Sequence, residues 1–410
     1  MKRSRRLLLA ALAALGAQAA YAHADFGPPQ PLSGPDDAVV RADGVVGSDG
    51  VRTVAWFSGA GTGSIGFARL AAGGSVAEGG SFAAGRAGGP TLVPQPGRDV
   101  LAIWPLGKGL SFATIHPDGT VGEISSTPTD AQDFDAVTDR EGITHVAGVV
   151  PARHDRSQRV QTFEIAADGD VGTPHAVSGE SGRAVLFGVR LGLERDGTMH
   201  VVWTQANPGA GRDVQTTTID RSGRKSRTRT LFGGLVGAET VIGVHAETVV
   251  AERDWPNGDA IEVGRFEGRA RQPKFEATSR IRLEGFESRA RTAFAADGRG
   301  FITWQGENGI GGAALSRRGI AAHPHVISGA PDVRSPVVAI DEGGAATVGW
   351  RGRGRSFSVS PVKPNGHPGK PEALASASTQ RSLFAGPGAP PTALWISGEG
   401  SQLFAAGSGG

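Results

Sequence analysis

Asp49-Gly50-Val51-Arg52-Thr53-Val54-Ala55-Trp56 decides the fold, because the chain returns to it. Asp196 stands seven residues before Trp203, as Asp297 does before Trp304, and each Asp is followed by Gly. Asp-Gly between apolar runs is a hairpin signal, since Gly accepts the positive φ of a tight turn. The run that follows is strand-like, and alternation puts Val54 and Trp56 on one face and Thr53 and Ala55 on the other.

Outward from these copies the pattern loosens but persists. Gly344 lies six residues before Trp350, while Gly97 and Gly388 each lie seven before Trp104 and Trp395. Asp139-Arg140-Glu141-Gly142 opens a copy in which Gly148 replaces the Trp. A degenerate copy keeps only the strand runs Val241-Ile242-Gly243-Val244 and Thr248-Val249-Val250-Ala251, with Trp255 a few residues late. The anchors then fall near positions 56, 104, 148, 203, 251, 304, 350 and 395, eight copies of about 48 residues. A second Gly turn recurs after each anchor, as in Pro117-Asp118-Gly119 and Pro364-Asn365-Gly366. That makes four strands per copy. The expected fold is an all-β β-propeller of eight four-stranded blades, with seven as the alternative.

The ends predict how the ring closes. The eighth copy stops after Gln402-Leu403-Phe404, one strand short. Pro28-Pro29-Gln30-Pro31-Leu32-Ser33-Gly34 matches the fourth-strand segments ending Val177-Ser178-Gly179 and Ile327-Ser328-Gly329. The N-terminal strand is therefore expected to complete the last blade, which would remove a free sheet edge.

Residues 1–24 read as an export signal peptide. Lys2, Arg3, Arg5 and Arg6 precede an apolar stretch from Leu7 to Ala17, with acceptable cleavage near Ala22 or Ala24. Arg5-Arg6-Leu7-Leu8 also resembles a twin-arginine motif, but an ordinary secretory signal is the favoured reading. A periplasmic or extracellular location follows, with residues 25–410 as a single propeller domain and no transmembrane anchor in the mature chain. Arg exceeds Lys and Ala and Gly are abundant, a composition of GC-rich bacterial genomes.

The formal charge of +2 comes from 42 Lys+Arg against 40 Asp+Glu. Without the four basic residues of the signal it is near −2, so nucleic acid is not an expected partner. The chain has no Cys, which excludes disulfides, thiolate metal sites and thiol nucleophiles. His323 and His325 alternate on one strand but lack a third ligand in sequence, and neither a metal nor a cofactor is expected. His145 and His200 lie three before their anchors, where other copies carry Thr53, Thr347 and Thr392. They read as a polar slot between blades, bonded to backbone.

The repeat resembles secreted bacterial β-propeller repeat proteins along nearly the whole mature chain. That resemblance implies architecture and no named family. Sialidases carry an Asp-box that Asp297 to Trp304 approaches, but the only Tyr is Tyr21 in the signal, so their tyrosine nucleophile has no counterpart. The tryptophan-docking motif and cysteines of eight-bladed quinone-dependent dehydrogenases are absent.

Function is sought where the copies differ, in the loops after the anchor strand. Candidate ligand-binding residues there are Arg153, His154, Asp155, Arg253, Asp254, Trp255, Glu307, Arg351 and Arg353. An arginine-bearing rim suits anionic groups, sugars or acidic protein loops. The expected function is a non-catalytic, monomeric binding module for a protein, peptide or glycan. The alternative is an extracellular polysaccharide hydrolase or lyase that draws carboxylates and His from the same loops.

Overall fold

The computed structural model describes residues 26–408, except 60–62, 72–73, 86–87, 132, 153–156, 210, 233–237, 255–258, 268–273, 284–288 and 399–400. The proposed signal peptide lies outside the described residues. The fold is a ring of eight four-stranded antiparallel blades, which bears out the repeat count.

From inner to outer strand, blade 1 runs Val39–Val46, Arg52–Ser58, Gly63–Leu70 and Val76–Gly85. Blade 2 runs Thr91–Pro94, Val100–Leu106, Gly109–Ile115 and Ser125–Ser126. Blade 3 follows with Asp133–Thr138, Thr144–Pro151, Gln158–Ile165 and His175–Ala176. Blade 4 has Val185–Leu193, Met199–Asn207, Gly211–Ile219 and Arg229–Phe232. The degenerate copy is blade 5, with Ala238–His245, Thr248–Asp254, Ala260–Glu267 and Lys274–Arg282. Blade 6 takes Arg291–Phe294, Gly300–Gly306, Gly309–Leu315 and His325–Ser328. Blade 7 takes Arg334–Ile340, Ala346–Arg351, Phe357–Val362 and Glu372–Ala375. Blade 8 holds Ser378–Gly386, Ala389–Ser397 and Leu403–Gly407, and the N-terminal Gln30–Pro31 is its outer strand. Each inner strand touches the next, and blade 8 touches blade 1.

The closure is double. Gln30 pairs with Ala405 and Pro31 with Phe404, and Phe26 bridges to Ser408. On the other side of the seam, fully buried Arg52 of blade 1 donates from Nη2 to the Pro390 carbonyl of blade 8 at 3.2 Å. Its Nη1 donates to the Ala71 carbonyl at 3.3 Å, and these acceptors offset part of the cost of burying the charge.

The core is a set of interfaces, one between each pair of blades. Trp104 of blade 2 packs on Ala55, Phe57 and Phe67 of blade 1, and Trp203 of blade 4 packs on Val149 and Val160 of blade 3. Trp56, Trp304, Trp350 and Trp395 likewise face the blade before their own. The recurring Trp is therefore a packing residue and not a ligand-stacking row. Alternation holds as expected: Val54 and Trp56 join the blade 8 interface, Ala55 and Phe57 the blade 2 interface.

The abundant Gly is only partly turn chemistry. Gly66 and Gly311 sit opposite Trp56 and Trp304 across the ladder. A Cβ at either would come within 2.4 Å or 2.5 Å of the indole. These third-strand glycines make room for the ring that the second strand carries. In blade 5 the missing Asp-Gly is replaced by Ala246, held at φ 45 in the hairpin turn.

Candidate functional site

Antiparallel strands send alternate connections to opposite faces of the ring. The Gly turns within each first and last hairpin emerge on one face, here the turn face. The loops after the anchor strand and the links between blades emerge on the other, the loop face.

Many charges of the turn face are paired within the protein. Asp49, Asp196 and Asp297 each accept the N–H two residues ahead through Oδ1, the local bond that makes Asp a turn residue. Arg299 and Arg317 both pair with Asp297 Oδ2, at 2.8 Å and 2.6 Å. Burial works against that carboxylate, but the Arg299 N–H and the two guanidinium groups outweigh it and hold Asp297 down to about 2. Arg98 pairs with Asp49, Arg221 with Glu141, Arg224 with Asp220, and Arg265 with Glu247.

A cavity of about 820 Å³ opens on this face along blades 3 and 4 and reaches His245 of blade 5 and Ala296 of blade 6, with Asp139, His145, Glu164 and Glu194 in its lining. Its volume is ligand-sized, yet its polar groups are largely engaged with each other. His145 lies between Asp139 at 3.1 Å and Glu164 at 3.4 Å. His200, buried behind the wall, bonds Glu194 at 2.6 Å and Thr218 at 3.1 Å and stacks on Phe266 of blade 5 at 4.1 Å. The ring nitrogens bond side chains rather than the backbone expected from sequence, and those partners, Asp139, Glu164, Glu194 and Thr218, belong to the same blade as their His rather than bridging two blades. Burial pushes the His245 imidazole below its ordinary value, against upward pulls from Glu247 and Asp297. Among the described residues no three metal-ligating side chains converge.

The sequence-selected residues belong to the loop face, and the structure brings only some of them together. Arg153, His154, Asp155 and Trp255 lie outside the described residues. Asp254 ends the second strand of blade 5. Arg253 is buried and pairs with Glu262 at 2.9 Å, so its charge is spent inside the blade. Glu307 is exposed in the blade 6 hairpin. Arg351 lies opposite another arginine across the ladder, and Arg353 is exposed in the turn that follows it.

Around them stand Arg355 of the same loop and two arginines that sequence reasoning missed, Arg334 and Arg381. Arg334, at the start of blade 7's inner strand, is the direct ladder partner of Arg351. Like charges placed opposite each other destabilise a sheet. Arg353 and Arg355 project in the short 3-10 turn that follows Arg351. Arg381, on the inner strand of blade 8, is half-buried. Its Nη1 donates to Ser378 Oγ at 3.3 Å, and Ser378 Oγ donates to the Arg355 carbonyl at 3.1 Å. Its Nε is buried with no hydrogen-bond partner. Burial, then the charge of Arg351, lower the Arg381 guanidinium to about 10. Among the described residues, none of these five arginines forms an ion pair. The missed residues sit on inner strands rather than in the post-anchor loops. The available signal was an Arg near the start of the first strand in blades 1, 6, 7 and 8: Arg41, Arg291, Arg334 and Arg381.

Two inner-strand carboxylates tie blades together instead. Asp43 Oδ2 accepts from Leu92 N and Asp135 Oδ2 from Leu191 N, each at 2.9 Å and each reaching the next blade. Burial raises both carboxyls above 3.8, against the hydrogen bonds and the nearby Arg41 or Arg190. A raised carboxyl binds protons more tightly in the folded state, so its stability contribution is complete below the unfolded value and is lost as pH rises through the folded one. Asp135→Asn should therefore gain on the wild type as pH rises from about 4 toward neutrality. Urea unfolding at pH 4.5 and 7.5 checks this; a mutant that falls further behind the wild type as pH rises contradicts it.

No protein-family model and no curated protein matches the chain. Solved structures do. Prolyl oligopeptidase B from Galerina marginata aligns with TM-score 0.51 and 10% identity over 88% of this chain and 55% of its own. The chain thus spans about half the length of that enzyme. The periplasmic gluconolactonase PpgL of Pseudomonas aeruginosa aligns with TM-score 0.50 and 15% identity, covering 78% of this chain and 94% of its own. The β-propeller domain of the Trilobed protease from Pyrococcus furiosus aligns with TM-score 0.50 and 8% identity, covering 83% and 99%. At such identities the likeness is one of fold. The Pyrococcus domain is described as having an open velcro topology; here the N-terminal strand completes the last blade.

Proposed function

We propose that this chain is an exported, non-catalytic binding module, a monomeric propeller that holds a protein, peptide or glycan ligand on its loop face in the periplasm or outside the cell. One observation carries the choice of face. The pairs Arg98–Asp49, Arg221–Glu141, Arg224–Asp220, Arg265–Glu247 and Arg299–Asp297–Arg317 lie on the turn face, while the Arg253–Glu262–Arg280 set lies inside blade 5. The arginines of these turn-face pairs are neutralised from within, whereas the loop-face arginines of blades 7 and 8 keep their capacity for a partner.

The engagement of His145 and His200 by carboxylates and Thr supports binding over catalysis. A ring with both nitrogens engaged serves structure better than proton transfer. The hydrolase or lyase alternative draws on the same fold, since propellers host both kinds of function. Residues 25–410 screened on glycan and peptide arrays, alongside reducing-sugar release from the glycans bound, separate the two. Capture without turnover is expected; release of sugar from a captured glycan overturns the non-catalytic reading.

A further inference from the structure

We infer that Arg334, Arg351 and Arg381 form a binding site for one oxyanion group, a carboxylate, sulfate or phosphate, at the junction of blades 7 and 8. The inference rests on the loop-face reading above and gives its ligand a chemistry.

The three residues come from three strands and two blades. Arg334 and Arg351 are direct partners across the ladder, so their stems leave the sheet side by side. Arg381 stands on the inner strand of blade 8, which packs against both the strand of Arg334 and the strand of Arg351. No carboxylate of the described residues neutralises any of them. An unpaired, half-buried guanidinium is costly, and placing two more beside it adds repulsion. An oxyanion reverses both terms: it neutralises the cluster and accepts from the guanidinium forks, a geometry that Arg presents in a plane and Lys does not. The buried Nε of Arg381 has no acceptor, so the protein itself leaves this guanidinium incompletely satisfied.

The backbone beside the cluster is also held in unusual conformations. Ser335, next to Arg334, sits at φ 51 and Arg355 at φ 68, both in the left-handed region that few side chains adopt. Ser335 is fixed there by its N–H to Gln305 Oε1 at 3.2 Å, and its Oγ accepts from Arg289 Nη1 at 3.4 Å. Strain of this kind persists where the surroundings over-determine it, and it collects at ligand clamps.

Calorimetric titration of residues 25–410 with sodium sulfate, sodium phosphate, glucuronate and uncharged glucose tests the site, with Arg381→Gln and Arg381→Lys alongside. Saturable binding of at least one anion, none of glucose, and affinity at least tenfold lower in Arg381→Gln are expected. The lysine variant should retain part of it. Thermal unfolding without ligand is the second readout. Because the wild-type cluster repels itself, Arg381→Gln should unfold at the same or a higher temperature. No saturable anion binding below 10 mM (roughly −2.7 kcal/mol), equal binding in Arg381→Gln, or a marked drop in its unfolding temperature overturns the inference. The array result is separate: ligands captured on the loop face with no small-anion binding would sink this site and leave the binding-module reading standing.

Discussion

Deleting residues 25–37 lowers the thermal midpoint of the 25–410 protein by about 4 °C or more, the shift that a loss of about 3 kcal/mol produces in a domain of this size. The segment supplies the outer strand of blade 8. It contributes Gly27 N to the Gly407 carbonyl at 2.9 Å and Leu32 N to the Leu403 carbonyl at 2.8 Å. Ser33 Oγ accepts from Leu403 N at 2.9 Å, and the Ser33 carbonyl accepts from Gln402 Nε2 at 2.8 Å. Phe26 is buried against Phe357 and Trp395, worth about 2–3 kcal/mol alone. The deletion also bares the Leu403–Gly407 edge, so association at high concentration should accompany the loss. Scanning calorimetry of the two proteins measures it. An unchanged midpoint would mean that the ring does not depend on its N-terminal strand.

Trp203→Ala should cost about 3–5 kcal/mol, the range for a large aromatic removed from a packed site. Trp203 is 1% exposed and fills the interface between blades 3 and 4, where Val149, Val160, Leu186 and Val201 close around it. A cavity there loosens two blades at once. Its indole N–H is buried without a partner, as is that of Trp104. Trp203→Phe therefore removes an unsatisfied donor along with part of the apolar volume, and should cost well under half as much as Trp203→Ala. Denaturant unfolding of the pair decides. Equal losses would show that the N–H, not the ring volume, matters at this position.

Blade number and closure were legible because both are written locally. A turn residue, a fixed spacing and a strand that ends on Trp recur within each copy, and the N-terminal segment repeats the outer-strand pattern of Val177-Ser178-Gly179. Blade 5 could be placed without its Trp because Val249, Val250 and Ala251 still fill the same buried positions. Gly66 and Gly311 were harder to read, since a glycine that makes room for a ring looks in sequence like one that makes a turn. The arginine cluster was only half legible. Arg351 and Arg353 follow an anchor strand and stand out as loop residues, but Arg334 and Arg381 lie in different copies and meet only when blades 7 and 8 pack. Arg253 shows the converse: its loop position suggested a ligand contact, while Glu262 on the adjacent strand takes its charge. Nothing in the spacing of one copy reveals which charges the next copy neutralises.

The central claim is that ligand binding belongs to the loop face. It is tested most directly by carrying the ligand captured on the arrays to two charge-reversed proteins. One has Arg351→Glu and Arg353→Glu on the loop face, the other Arg221→Glu and Arg224→Glu on the turn face. Affinity measured at 0.15 M salt, where charges more than about 8 Å away are screened, should fall at least tenfold in the first protein and stay within twofold in the second. Unchanged affinity in the loop-face variant, with loss in the turn-face variant, would contradict the account.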